Sequence, residues 1–142
     1  MKKTLSIIAS VLFTVMTLST SANAATYNPL KEKDSKAIIT TFIETITSGS
    51  DLYNKYLFTA DFEYKNSANN HQFTKSQYLG FLKQTKGFKY NCETEYQILD
   101  EVGKSCVAKA IMRFENFTRV DYITLNKTDE GWKVSKVVTT YP

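Results

Sequence analysis

Arg119 and Asp121 stand two residues apart in the segment Phe117-Thr118-Arg119-Val120-Asp121-Tyr122-Ile123-Thr124-Leu125. In an extended strand, side chains two residues apart share one face at a spacing of about 7 Å. Two readings follow. If the odd positions face inward, Arg119 can hold an anionic ligand and Asp121 can act as acceptor or general base, its pKa raised by burial or lowered by its neighbour. If the even positions Thr118, Val120, Tyr122 and Thr124 are the buried set, the two charges form an ordinary surface ion pair. The single histidine, His71, follows the polar run Asn66-Ser67-Ala68-Asn69-Asn70. It is either an acid or base near neutral pH or a solvated loop residue.

Other chemistries are poorly supplied. One histidine and two separated cysteines make no zinc-type ligand set, so no metal is expected. There is no glycine-rich phosphate loop and no Gly-x-Ser-x-Gly elbow, and Cys92 and Cys106 have only the distant His71 as a base. No cofactor is expected either. Aromatic residues are plentiful, with nine Tyr, nine Phe and one Trp. Tyr64, Tyr78, Tyr90, Tyr96 and Tyr122 can line a cavity with apolar bodies and hydrogen-bonding tips, or simply pack the interior. Trp132 reads as core.

The elements that must position these groups follow from periodicity. Ala37, Ile38, Ile39, Phe42, Ile43 and Ile46 recur at helical spacing between a cap at Asp34 or Ser35 and a stop at Gly49. Asp51 to Phe58 forms a shorter helix with Leu52 and Tyr56 on one side. Asp61 to Lys65 alternates as a half-buried strand through Phe62 and Tyr64, and His71 to Phe73 is a brief return strand. Thr74 and Gln77 have the spacing of a capping box ahead of Tyr78, Leu79, Phe81 and Leu82, a third helix ending at Lys86-Gly87. After Gly87 the period becomes two. Phe88, Tyr90, Cys92, Tyr96 and Ile98, then Cys106, Ala108, Ala110, Met112 and Phe114, form the apolar face of a hairpin that turns near Glu101-Val102-Gly103. Further strands span Phe117 to Asn126 and Trp132 to Tyr141. The expected fold is α+β, with three N-terminal helices packed on a curved, mixed but mainly antiparallel sheet of about six strands.

Met1 to Ala24 has two lysines, an apolar run from Leu5 to Leu18 and the small-residue ending Ala22-Asn23-Ala24, the layout of a secretory signal peptide. Removing 24 of 142 residues leaves 118, a single domain over 25–142. Two lysines and no acids leave with it, so the net charge falls from +4 to +2. The remaining lysines are scattered, which argues against nucleic acid. The apolar run is short for a bilayer span, so release to the bacterial periplasm or medium, with no membrane association after cleavage, is expected. Cys92 and Cys106 are either a disulfide, worth about 3 kcal/mol in the chain-entropy account, or two thiols set out of register on a hairpin.

The order helix, short helix, strand, polar loop, helix and four long strands resembles the nuclear transport factor 2-like (NTF2-like) superfamily, which includes ketosteroid isomerase, scytalone dehydratase and polyketide cyclases. The segments Arg119-Val120-Asp121-Tyr122-Ile123-Thr124-Leu125-Asn126-Lys127 and Gly131-Trp132-Lys133-Val134-Ser135-Lys136-Val137 look most like its bacterial lumazine-binding branch. The resemblance implies a cystatin-like cone with a cavity between sheet and helices and a homodimer formed through the sheet face. The candidate ligand-binding residues in such a cavity, read from strand alternation and aromatic content, are Arg119, Asp121, Tyr64, Tyr90, Met112 and Tyr122. Where ketosteroid isomerase keeps its general base, this chain has Asn66, and where that enzyme keeps a tyrosine in the first helix it has Thr40, Thr41 and Thr45. The expected function is therefore a non-catalytic exported domain that binds a small molecule or protein partner. The alternative is an isomerase, dehydratase or cyclase using Asp121, Arg119 and His71.

Overall fold

The computed structural model describes residues 26–142, so the signal-peptide segment lies outside the described residues. Helix α1 (Ser35–Ser48) begins where Asp34 accepts the amide of Ala37 at 2.8 Å and ends at Gly49, whose φ of 66° is the left-handed turn expected of a helix stop. Ile38, Ile39 and Phe42 on its inner face are fully buried. The second helix is shorter than its sequence suggests. Only Asn54–Leu57 (α2) is helical, because Phe58 already belongs to strand β1 (Phe58–Asn66), and Leu52 is left 68% exposed.

The third helix, α3 (Lys75–Gln84), is not grouped with the first two. It follows the hairpin of β1 and the short β2 (Gln72–Thr74) and opens on the expected capping box, with Thr74 and Gln77 bonding each other's backbone. Three helices are present among the described residues, two ahead of the sheet and one inserted between its second and third strands.

Four long strands complete a six-stranded sheet: β3 (Glu93–Val102), β4 (Ser105–Arg113), β5 (Thr118–Thr128) and β6 (Gly131–Thr140). The order is β2-β1-β6-β5-β4-β3, antiparallel throughout except where β1 pairs with β6 in parallel. The alternation expected of β4 holds, with Cys106, Ala108, Ala110 and Met112 buried and Lys109 and Arg113 outward. The same pattern fails on β3. Tyr96 and every other β3 residue except the half-buried Ile98 are exposed, and Phe88 to Cys92 precede the strand as irregular chain, with Phe88 68% exposed. Periodicity marks a potential inner face, but burial needs a covering layer, and β3 is the sheet edge with Leu99 bulged out of its pairing to β4.

The hairpin turns at Gly103-Lys104, with Cys106 opposite Glu101 and Glu93 opposite Arg113. The two cysteines are not joined. Burial, reinforced by the nearby Glu101 carboxylate, pushes the Cys106 thiol up to about 11. Since the folded pKa exceeds the unfolded one, the folded state retains a proton that the unfolded chain releases. The stability tied to Cys106 is thus intact below about pH 9 and is lost as pH rises toward about 11. Cys106→Ala should flatten that part of the stability profile in urea titrations run from pH 8 to 11.

Gly131 turns β5 into β6 at a φ of 93°, and a β-carbon there would sit 2.4 Å from the Lys31 carbonyl oxygen. Gly131→Ala should therefore cost about 2 kcal/mol or more in urea unfolding. Gly80→Ala, on α3 with open space around it, should instead be neutral or stabilising by up to about 1 kcal/mol.

Candidate functional site

Strand β5 carries its odd residues inward. Arg119 is 7% exposed and Asp121 0%, so the inward reading holds and the surface ion pair does not. The two interact along their own strand: Arg119 Nε donates to Asp121 Oδ1 and Nη2 to Oδ2, both at 2.9 Å. Thr139, directly opposite Asp121 on β6, donates its hydroxyl to Oδ1 at 2.6 Å and lies 3.4 Å from Arg119 Nη2. Both carboxylate oxygens are thereby occupied by charge-assisted bonds. Burial alone would lower the pKa of Arg119, but the Asp121 carboxylate outweighs it and holds the guanidinium charged. Nη1 takes part in none of these bonds.

Arg119 lies in the lining of a cavity of about 250 Å³ at one end of the sheet. Tyr64 and Asn66 reach it from β1, Phe73 from β2, Tyr78 and Phe81 from α3, and Tyr90 and Tyr141 from the chain before β3 and after β6. His71 stands at its edge, exposed, with its ring 6.4 Å from that of Phe73. The rings form a nearly parallel series. Tyr64 stacks on Tyr78 at 5.0 Å and on Phe73 at 5.7 Å, and Phe73 stacks on Phe81 at 6.4 Å. Desolvation raises the pKa of Tyr64 and, more strongly, of the fully buried Tyr78, so both hydroxyls stay protonated at neutral pH. The Tyr78 hydroxyl is buried without a hydrogen-bond partner.

Of the residues singled out in the sequence, Arg119, Tyr64, Tyr90 and His71 meet at this cavity. Asp121 is beneath it, locked to Arg119 and absent from its lining. Met112 faces inward beside Arg119 on the neighbouring strand but is closed in the core. Tyr122 is on the opposite face of the sheet, 39% exposed beside Lys109. Neither Met112 nor Tyr122 lines the cavity. Sequence reasoning missed Thr139, Phe73, Phe81 and Tyr141, and it named Tyr78 only among several aromatic candidates. Two larger depressions along β1, β2 and α3 do not reach Arg119. Among the described residues, no three metal-ligating side chains converge and no helix is long and apolar enough to cross a membrane.

Removing one member of a buried ion pair leaves the other uncompensated, at a cost of about 3–5 kcal/mol. Asp121→Leu and Arg119→Met should each show a loss of that order in urea unfolding, and the double variant a smaller loss than either alone. Additive losses would mean that the two charges are not coupled.

No known family profile and no curated protein matches the sequence. Solved structures do match the fold. An NTF2-like protein of unknown function from Silicibacter pomeroyi is 9% identical with a TM-score of 0.62, over 75% of this chain and 92% of that one. An NTF2-like protein from Cytophaga hutchinsonii is 13% identical with a TM-score of 0.61, over 77% and 99%. A Parabacteroides distasonis protein provisionally named a ketosteroid isomerase is 14% identical with a TM-score of 0.59, over 82% and 93%. The chain has the NTF2-like fold.

Proposed function

We propose that this chain is an exported, non-catalytic binding domain that holds a small molecule in the aromatic cavity at the Arg119 end of its sheet. One observation carries the reading: Arg119, with Nη1 outside its bonds to Asp121 and Thr139, lines a cavity walled by aromatic rings, while both carboxylate oxygens of Asp121 are engaged and Asp121 is absent from that lining. A general base must reach its substrate with a free lone pair. Asp121 does neither, and Asn66 and His71, the remaining candidates, are an amide and an exposed ring at the edge.

Export is supported by the Lys2-Lys3 start, the apolar run and the Ala22-Asn23-Ala24 ending. Kinship to the lumazine-binding branch is supported by the strand sequences around Asp121-Tyr122 and Trp132-Lys133. The outer face of the sheet, with its cross-strand row Lys109, Tyr122 and Val138, is the surface we assign to a homodimer.

Protein recovered from the periplasm of an expressing bacterium should begin at Ala25 and carry a small molecule visible by native mass spectrometry. A screen of pterins, flavins and simpler bicyclic aromatics should contain compounds that raise the melting temperature by several degrees at saturation. An empty protein that no member of the screen shifts would sink the binding reading.

A further inference from the structure

The free edge of the sheet is a second place where this chain can take a partner. We infer that the straight part of β3, from Glu93 to Ile98, accepts an extended segment of another protein as an added strand, one that alternates basic and aliphatic residues. The edge is separate from the Arg119 cavity, whose lining contains no β3 residue.

The main chain supplies the docking groups. β3 is the last strand of the sheet and pairs only with β4, whereas the opposite edge, β2, is three residues long. Alternate N–H and C=O groups of β3 therefore point away from the sheet, and no turn or loop bonds to them among the described residues. Exposed edges are ordinarily blocked by lysine, proline, a bulge or an inward charge. β3 has no lysine and no proline, and its bulge, at Leu99, comes only after the register to β4 has run unbroken from Glu93 to Ile98. That run is the length of an ordinary strand, enough to template another.

The side chains say what the added strand carries. Glu93, Glu95 and Gln97 lie opposite Arg113, Ile111 and Lys109, on the outer face of the sheet, and Asp100 joins that face opposite Val107. Thr94, Tyr96 and Ile98 lie opposite Met112, Ala110 and Ala108, on the inner face, where Thr40 of α1 reaches the Tyr96 hydroxyl. The two faces of the edge thus differ: carboxylates outside, an aromatic and an aliphatic side chain inside. A neighbouring strand keeps the same alternation, so its outward residues meet the carboxylates and its inward residues lie beside Tyr96 and Ile98. Lysine or arginine suits the first set and valine or isoleucine the second.

Charge also decides against a second copy of this chain as the occupant. β3 holds four acids and no base, and only Glu95 has an ion-pair partner among the described residues, Arg113. Pairing two copies of β3 would set four carboxylates along four more on one seam, where like charges repel. A basic segment meets the same seam with attraction.

The test uses protein recovered from the periplasm and labelled octapeptides, with affinity read by fluorescence anisotropy. The three probes are alternating lysine and valine, alternating glutamate and valine, and the lysine–valine peptide N-methylated at every amide, which keeps the charges and removes the main-chain donors. The lysine–valine peptide should bind about tenfold or more tighter than either other probe. At saturation it should slow amide exchange across Glu93–Ile98 by about tenfold or more and leave β2 unchanged. Glu93→Lys/Glu95→Lys should reverse the preference toward the glutamate–valine peptide. Glu93→Gln/Asp100→Asn, which breaks no ion pair of the described residues, should keep the parent's melting temperature and weaken the lysine–valine peptide about threefold to tenfold. Equal binding of the N-methylated peptide would show that charge alone holds it and overturn the added strand. Equal affinity for the two charge types would overturn the basic partner. Peptide-free protection of Glu93–Ile98 that rises with protein concentration would give the edge to a second copy, and failure of every peptide to bind would remove the site; either result overturns the proposal.

Discussion

A guanidinium and a carboxylate stripped of water on a single strand set the terms for everything around them. Each ion alone would be several kcal/mol too costly to bury, and only the two-bond geometry with Thr139 closing the remaining side makes the arrangement tolerable. That requirement reaches outward. It demands that β6 present a hydroxyl opposite Asp121, that β5 turn its odd face inward along its length, and that aromatic side chains from β1, β2 and α3 close over the pair. The cavity is what remains where that closure is incomplete.

The proposed binding role rests on the same pair. A carboxylate whose two oxygens are taken by a guanidinium and a hydroxyl, and which is absent from the cavity lining, has no free position to present to a molecule there. The structures similar in shape do not change this, because at 9–14% identity the likeness is one of fold alone. Function has to be argued from the side chains of this chain, and these are donors and rings.

Much of this was legible from local patterns. Asp34 and Gly49 bound the first helix, Thr74 and Gln77 cap the third, and Phe62 and Tyr64 point inward as alternation requires. What escaped depended on distant partners. Counting back from the Thr128–Gly131 pair in ideal register places Val138 opposite Asp121. The extra residue Ser135, skipped between the pairs Thr124–Lys136 and Leu125–Val134, shifts the pairing by one and delivers Thr139 instead. No periodicity in β6 announces that bulge. The burial of Arg119 was equally undecided by pattern, since strand alternation gives two faces and cannot say which one a helix will cover. On β3 the pattern misled for the converse reason: an apolar face is present, but α1 reaches only part of it, through Thr40 at Tyr96 and Ser35 at Glu101, and Ile98 alone is half-buried.

The parallel pairing of β1 with β6 ties the first strand of the described chain to the last, across more than half of the sequence. Every other neighbouring pair in the sheet is a hairpin that can form as its two strands emerge. The seam between β1 and β6 cannot, and it carries Tyr64 beside Val137 and Asn66 beside Thr139, at the edge of the cavity. During synthesis the N-terminal helices and first hairpin must wait, with their apolar faces uncovered, until the final strand arrives. The cavity at Arg119 is therefore among the last features to exist, and a chain that lacks its closing strand has neither a completed core nor that cavity.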